Sequence, residues 1–513
     1  MHKKLFKPIK IGSATALIAL TSFLSYAIGL FRDRIIAVNF GTSTATDIYN
    51  ASFLIPDMLF NLFIAGALVA AFLPVFSELL TKNKEDAHDI ANTVLTGGVL
   101  LIGGLAALAF IFMGQIIPFA FPDSSVAVQQ DIIIMTRLML PSAIIFAISN
   151  TLGNILMSYK HFAAYAISPI LYNLGIILGV QYLHPKIGIY SAAVGVLIGA
   201  SLHAVIRIAD TFMTPYSYRP RLAIKHPAFK KIIKLMLPKS ISLIAWQFNL
   251  YIFAIVGFRI VEGGLAAFNF ARNIQSFAVS LFGIAFATAV FPYLATAVSE
   301  QRHNDYTEHI QKTIQRILFF TIPAMAGIMV LSIPLVDLIL SGGVFDADST
   351  KLTALILFFF ALSIPFESIV HILARGFYAI QNTLTPMLIN LVAMATIASI
   401  TYFVAPVYGI QWFSIGFTIG FSLQVLLLMI FLFPKLKGFQ VRTFLKSLGK
   451  TMIATTVMVL ALVLSGHLDI NVKLLTVIQI SLGAATFFAT AAIIKAPEIG
   501  SIQYILDRIL KKS

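Results

Sequence analysis

Cysteine is absent from the chain, which rules out disulfides, thiol nucleophiles and thiolate metal sites and leaves the redox compartment unreadable. Charge is scarce. Only 11% of the 513 residues are charged and 59% are hydrophobic, against about 25% and 45–50% in soluble globular domains, so an ordinary soluble fold is excluded. Also missing are the phosphate-cradling GxxxxGKS/T loop, the zinc-binding HExxH pair and the nucleophile elbow. No hydrophilic stretch is long enough for an ATPase or glycosyltransferase domain, and the histidines lack a partner at metal-ligand spacing. The reading is therefore of a transporter and not an enzyme, with no metal and no cofactor. Its work would draw on an ion gradient or on the membrane potential, worth about 2.3 kcal/mol per charge per 100 mV.

What fills the chain is apolar sequence. Runs of about 20 apolar residues recur from end to end, long enough to cross a bilayer as helices. A β-barrel would show short alternating segments instead. The expected fold is an all-α polytopic membrane protein with about fourteen transmembrane helices. They fall near 11–38, 45–79, 90–114, 129–158, 162–183, 187–212, 236–259, 264–297, 313–340, 351–380, 385–405, 409–434, 448–466 and 472–494. The first run follows Lys3, Lys4, Lys7 and Lys10 but is too long for a signal peptide and lacks a cleavage site, so it reads as a retained span. The tail 497–512 is amphipathic and basic, suited to the membrane surface.

The net charge of +15 sits mostly in short loops. Lys82 and Lys84, the connector Arg219 to Lys231, Arg302 with Lys312, and Lys435 to Lys446 alternate with loops carrying mainly Asp123, Glu262, Asp346 and Asp348. Positive-inside bias and anionic headgroups account for this pattern without a nucleic acid. The alternation places both termini and the central connector in the cytoplasm, which requires an even number of spans.

An internal repeat organises the chain. His184 to Leu202 aligns without gaps on Ala405 to Leu423, Pro169 to Leu174 matches Pro386 to Leu391, and Val69 to Pro74 echoes Ala287 to Pro292. The offset of about 220 residues equals six spans, so the two copies share one orientation. The expected organisation is an N-terminal six-helix lobe over 1–220, a C-terminal six-helix lobe over 221–437, and two extra helices with the basic tail over 438–513. By analogy, parallel repeats belong to transporters that rock two lobes around a central site.

Ionised residues at membrane depth cost about 2.5–3.5 kcal/mol each and mark a polar cavity or substrate path. Arg34 reads as a boundary residue. Arg32 is followed by apolar Ile35 to Val38, so its guanidinium needs a carboxylate or phosphate to hold. For Asp47, beyond the Gly41 turn, two readings stay open: counter-ion to Arg32, or cap of the second helix. Asp57 follows Pro56, at either a gating kink or a packing feature. Asn269, Arg272, Asn273 and Gln275 interrupt the eighth span, with Arg272 expected to face the interior. Glu367, His371 and Arg375 share one face of the tenth span, as a self-neutralising structural triad or, less favoured, a substrate contact. Arg137, His203, Arg207 and Asp210 lie near span ends and read as interfacial anchors.

The segments GLFRD, IPD and AFLPVFSE within 29–78, FNFARNIQSFAVSLFGIAFATAVFPYL at 268–294 and ARGFYAIQNTLTP at 374–386 resemble the lipid II flippases of the MOP exporter superfamily over nearly the whole chain. The resemblance implies alternating-access transfer of an undecaprenyl-pyrophosphate-linked peptidoglycan precursor from the inner to the outer leaflet. It implies a cationic headgroup cavity in the first lobe and a groove for the lipid tail at the last two helices. Arg32, Asp33 and Asp47 match motif positions, so Arg32 would engage pyrophosphate and Asp47 would balance or position it. Arg272 and Asn273 would join the substrate site, with Asp57, Glu367, His371 and Arg375 in gating or ion pairing. The sequence departs from the family where arginines are usual, at Tyr26, Phe60 and Asn273, and Ala65 replaces an acidic residue. Phe253 stands where some cation-coupled members have an acid, which argues against sodium coupling. Competing readings are an exporter of another undecaprenyl-linked oligosaccharide, favoured by the missing arginines, a cation-coupled drug antiporter, and an intramembrane lipid-modifying enzyme. The expected setting is the bacterial inner membrane, with a lipid-linked oligosaccharide pyrophosphate as substrate, membrane lipids as neighbours and a monomer as the working unit.

Overall fold

The computed structural model describes residues 11–63, 67–467 and 470–500. The basic start 1–10, Ala65 and the tail segment 501–513 lie outside the described residues. Helices account for nearly everything described: α1 (Ile11–Phe40), α2 (Thr44–Ser52), α3 (Leu54–Phe63), α4 (Ala67–Lys82), α5 (Lys84–Ala120), α6 (Val126–Ser158), α7 (Ala163–Ile187), α8 (Tyr190–Thr211), α9 (Pro227–Ile260) and α10 (Gly264–Ala278). They continue as α11 (Ala285–Ser299), α12 (His303–Val330), α13 (Ser332–Leu340), α14 (Ala347–Ala361), α15 (Ile364–Ala379), α16 (Leu384–Ser399), α17 (Ala405–Tyr408), α18 (Gln411–Leu432), α19 (Val441–Ser465) and α20 (Val472–Ile493). Two π-helical turns, Val279–Ile284 and Ile400–Val404, interrupt the run.

The all-α polytopic class holds. The count differs from fourteen: among the described residues eleven helices are long and apolar enough to cross a membrane, or twelve if α14 and α15, bent by 44°, form one span. The second expected span is one place where the count falls short. It is built as α2, α3 and α4 and breaks at Phe53, a discontinuity that average hydropathy does not register.

The chain divides into two compact units, Met1–Ala266 with Gly342–Phe345, and Ala267–Ser341 with Asp346–Ser513. In unit 1, the stacked rings of Phe72 and Phe76 (centroids 5.0 Å) anchor a core with Ile90, Ile155 and Ile232. The basic connector is strapped onto α5: buried Tyr216 donates to Asn92 Oδ1 at 2.7 Å, and the Ala223 N–H donates to Thr93 Oγ1 at 3.0 Å. In unit 2, α19 and α20 pack on α12 through Phe319, Met458, Leu462 and Phe487.

Glycines that the sequence aligns sit at comparable helix–helix turns. Gly188 (φ +54°) turns the chain between α7 and α8, and its counterpart Gly409 (φ +101°) does so between α17 and α18. Beyond the turn, small residues allow close approach, as at membrane helix interfaces. In unit 1 a Cβ on Gly179 would lie 2.4 Å from Gly195 Cα, and one on Gly199 would lie 2.3 Å from the Tyr172 carbonyl oxygen. In unit 2 the counterparts Gly416 and Gly420 instead receive the side chains of Ile400 and Ile397. Unit 1 thus seats backbone on backbone where unit 2 seats side chain on backbone.

That difference is testable. Gly199→Leu forces α7 and α8 apart and costs about 3 kcal/mol, read as a lower melting temperature of the purified protein. Gly104→Ala, whose Cβ would meet nothing within 4 Å, leaves the melting temperature unchanged or slightly raised.

Candidate functional site

Successive helical residues point about 100° apart, yet Arg32 and Asp33 on α1 are paired because the guanidinium folds back. Its Nε and Nη2 donate to Asp33 Oδ1 at 3.1 and 2.7 Å. Nη1 donates to Asn173 Oδ1 on α7 at 3.1 Å. The Asn173 amide is itself held by the carbonyls of Pro169 (3.1 Å) and Ser25 (3.4 Å). A guanidinium has five N–H donors, so these contacts leave two with no acceptor among the described residues. Asp33 is buried, while the Arg32 side chain keeps 23% of its surface exposed. The result is a neutralised but open-ended arginine, able to give a bidentate grip to an incoming anion.

Unit 1 also holds a cavity of about 220 Å³, lined by Asp57, Phe60, Phe146, Pro169, Tyr172 and His203 among others. Tyr172 is the chain neighbour of Asn173, and both it and buried Tyr49 lie within electrostatic reach of Arg32 and Asp57. The break at Phe53 explains Pro56: it falls in the first turn of α3, where the missing N–H has no intrahelical partner to lose. Asp57 follows and lines the cavity. The wall is aromatic, with Phe60, Phe146 and Tyr172 meeting edge to face at 5.4 and 5.2 Å.

Asp47 is neither counter-ion to Arg32 nor cap of α2. Its buried carboxylate accepts from the Gly263 N–H at 2.9 Å and the Ala266 N–H at 2.7 Å. These are among the orphan donors at the start of α10, where the helix dipole also favours a negative charge. Nearby, Thr44 donates to Glu262 through Oγ1 at 2.7 Å and its N–H at 3.4 Å, holding that loop carboxyl below the usual carboxylate range. Asp47, Glu262 and the Arg259–Asp123 ion pair border a second cavity of about 430 Å³ within unit 1.

The unit 2 candidates form a separate group. Glu367 on α15 accepts from Gln275 Nε2 at 2.8 Å, and Gln275 also donates to Ser363 Oγ at 3.1 Å. Half-buried Arg272 lies in electrostatic reach of Glu367, and Asn273 is half-buried beside it in sequence. Arg375 donates to Thr288 Oγ1 at 2.8 Å and to the His371 carbonyl at 3.1 Å. The expected Glu367–His371–Arg375 triad is therefore not closed by ion pairs among the described residues: Glu367 accepts from Gln275, and Arg375 donates to Thr288 and to the His371 backbone. The π-helical turn before α11 brings Gly283 against Ser368, where a Cβ would lie 2.7 Å away.

One assignment is corrected. Arg207, His203 and Asp210 are not interfacial anchors but buried side chains. Arg207 donates to Ser168 Oγ (2.9 Å), Asn150 Oδ1 (3.0 Å) and the Ser149 carbonyl (3.1 Å), with its guanidinium 5.0 Å from the Tyr165 ring centroid. Asp210 meets His161 Nδ1 at 2.8 Å, and His203 meets Ser149 Oγ at 2.8 Å. The signal in the sequence is the i, i+4, i+7 spacing of these three on α8 with Ser149, Asn150 and Gly153 on α6. Proximity to a span end hides it.

The family model described as "Lipid II flippase MurJ" matches residues 36–482. The "Lipid II flippase MurJ" of Burkholderia cenocepacia is 26% identical over 438 residues, 81% of this chain and 83% of that protein. That of Thermosipho africanus is 28% identical over 440 residues, 84% of this chain and 87% of that protein. A solved structure titled "Lipid II flippase MurJ, inward closed conformation" superposes with a TM-score of 0.81 at 26% identity, covering 94% of this chain and 100% of the other. An inward-facing MATE family transporter of the MOP superfamily, 14% identical, shares the fold at a TM-score of 0.68 over 81% of this chain and 95% of its own.

Two substitutions separate the roles assigned above. Asp47→Ala removes a helix-start acceptor and costs about 1–2 kcal/mol, most of it restored in Asp47→Asn. Arg207→Ala strands buried acceptors and costs about 3 kcal/mol. Thermal unfolding of the purified variants reads both.

Proposed function

The chain belongs to the lipid II flippase MurJ family, and from that premise we propose that it carries the undecaprenyl-pyrophosphate-linked peptidoglycan precursor across the bacterial inner membrane by alternating access, with the Arg32 cluster of unit 1 receiving the pyrophosphate. The observation that carries the site is the donor count at Arg32. Three donors are committed to Asp33 and Asn173, which fixes the guanidinium plane, and two remain for phosphate oxygens. Asp33 lowers the cost of keeping the cation in an apolar bundle when the site is empty.

The residues at the family's usual arginine positions support a refinement. Phe60 belongs to the aromatic wall with Phe146 and Tyr172, and Tyr26 is exposed. A less cationic cavity with aromatic faces suits a headgroup whose sugar rings pack on π surfaces while one arginine takes the charge. Asp57, in the same lining, would repel a second anion and favour release. The alternation of basic and acidic loops supports both termini lying in the cytoplasm.

Expression in a bacterium depleted of its own flippase, with lipid II exposure on the outer leaflet as readout, tests the function. Rescue is expected; a well-expressed protein that leaves lipid II inside contradicts it. In the same assay Arg32→Lys, which keeps charge but loses the planar fork, is expected to transport about tenfold more slowly, equivalent to about 1.4 kcal/mol. Wild-type rates would remove Arg32 from the site.

A further inference from the structure

A cavity of about 380 Å³ opens between α11 and α12 of unit 2. Phe286 lines one end of it and stacks on Phe320 outside the cavity, with centroids 5.7 Å apart. Farther along, Ala289 on α11 and Arg316 on α12 line the walls, and exposed Tyr293 tilts over His309 at 5.8 Å. The two faces differ in chemistry. The α11 side is apolar and aromatic, whereas α12 contributes His309, Lys312 and Arg316 at i, i+3 and i+7, which share one helical face.

The α12 sequence places this wedge at the boundary of the membrane. Its first half, His303 to Arg316, is polar, and its second half, Ile317 to Val330, carries no charge. Arg316 is the last charge before the apolar half. The Lys312 ammonium is paired with Glu308 one turn away, and both side chains are more than half exposed. Such a surface pair is worth little, so exchanging Glu308 for a phosphate costs little. A cationic wall facing an aromatic wall at the hydrocarbon edge matches an amphiphile with an anionic head, and the volume is in the range of small-molecule pockets.

We infer that this wedge binds the phosphate of an anionic membrane phospholipid. Lys312 and Arg316 hold the phosphodiester, and Phe286, Ala289 and Tyr293 carry the glycerol and the first acyl carbons. Basic pockets between membrane helices recognise lipid headgroups by this combination of charge and apolar contact. The inference does not rest on the transport reading, since the wedge shares no residue with the Arg32 cluster or with the cavity lined by Asp57 and Tyr172.

Native mass spectrometry of the purified full chain in detergent tests it, titrating phosphatidylglycerol or phosphatidylcholine of the same acyl chains. Phosphatidylglycerol is expected to bind at least about fivefold tighter and to resist displacement by excess inorganic phosphate. Lys312→Gln with Arg316→Gln abolishes that preference, and Ala289→Trp, which fills the wedge and leaves both cations, does the same. Lys225→Gln with Lys230→Gln, in the connector, leaves it intact. Equal binding of the two lipids, a preference that survives Ala289→Trp, or displacement by inorganic phosphate would each overturn the proposal. If the double variant fails to fold, Ala289→Trp decides alone.

Discussion

An ion inside an apolar helix bundle has to be solvated by the bundle itself, and much of this protein's polar structure can be derived from that constraint. Arg32 meets it with a carboxylate from its own helix and an amide from α7. Asp47 meets it with two backbone N–H groups near a helix start. Arg207 meets it with three neutral oxygens and an aromatic face. The solutions differ in what they leave over. Arg207 is buried and enclosed, so it holds three helices together. Arg32 is partly open and retains donors, so it is the one positioned to take a ligand's charge.

The same reasoning explains which features can be read from sequence. The all-α polytopic class follows from run length and scarce charge, and the repeat follows from glycines that recur because a helix–helix turn and a close approach demand them. Arg32 stands out because apolar residues follow it. What is not legible is partnership. Asp47 lies near Arg32 in sequence, but helix-start N–H groups more than 200 residues away bind it, and no local pattern announces a cap donated from a distant element. The break at Phe53 separates a polar segment, Thr44–Ser52, from the apolar Leu54–Phe63, a contrast that an average taken over the whole run conceals. Arg207 and Asp210 look like boundary residues until the packing of α6, α7 and α8 shows which helix face is enclosed.

The two units pack their glycine-bearing helices differently. Glycine pairing between α7 and α8 brings Pro169, Tyr172 and Asn173 into one rigid face, which is the face that orients Arg32 and lines the cavity shared with Asp57. In unit 2 the corresponding contact is filled by isoleucines, and the polar residues gather instead around Gln275 and Glu367 beside a π-helical turn. Close backbone packing around Asn173 thus contrasts with the irregular helix geometry of unit 2.

The central claim is that Arg32 recognises the pyrophosphate itself. Its most direct test is displacement of labelled lipid II from the purified protein by undecaprenyl pyrophosphate, compared between the native chain and Arg32→Gln. The account predicts effective competition in the native chain and lipid II affinity lowered by about tenfold in the variant, the loss of one charge-assisted bidentate contact. Equal lipid II affinity in the two proteins would contradict it.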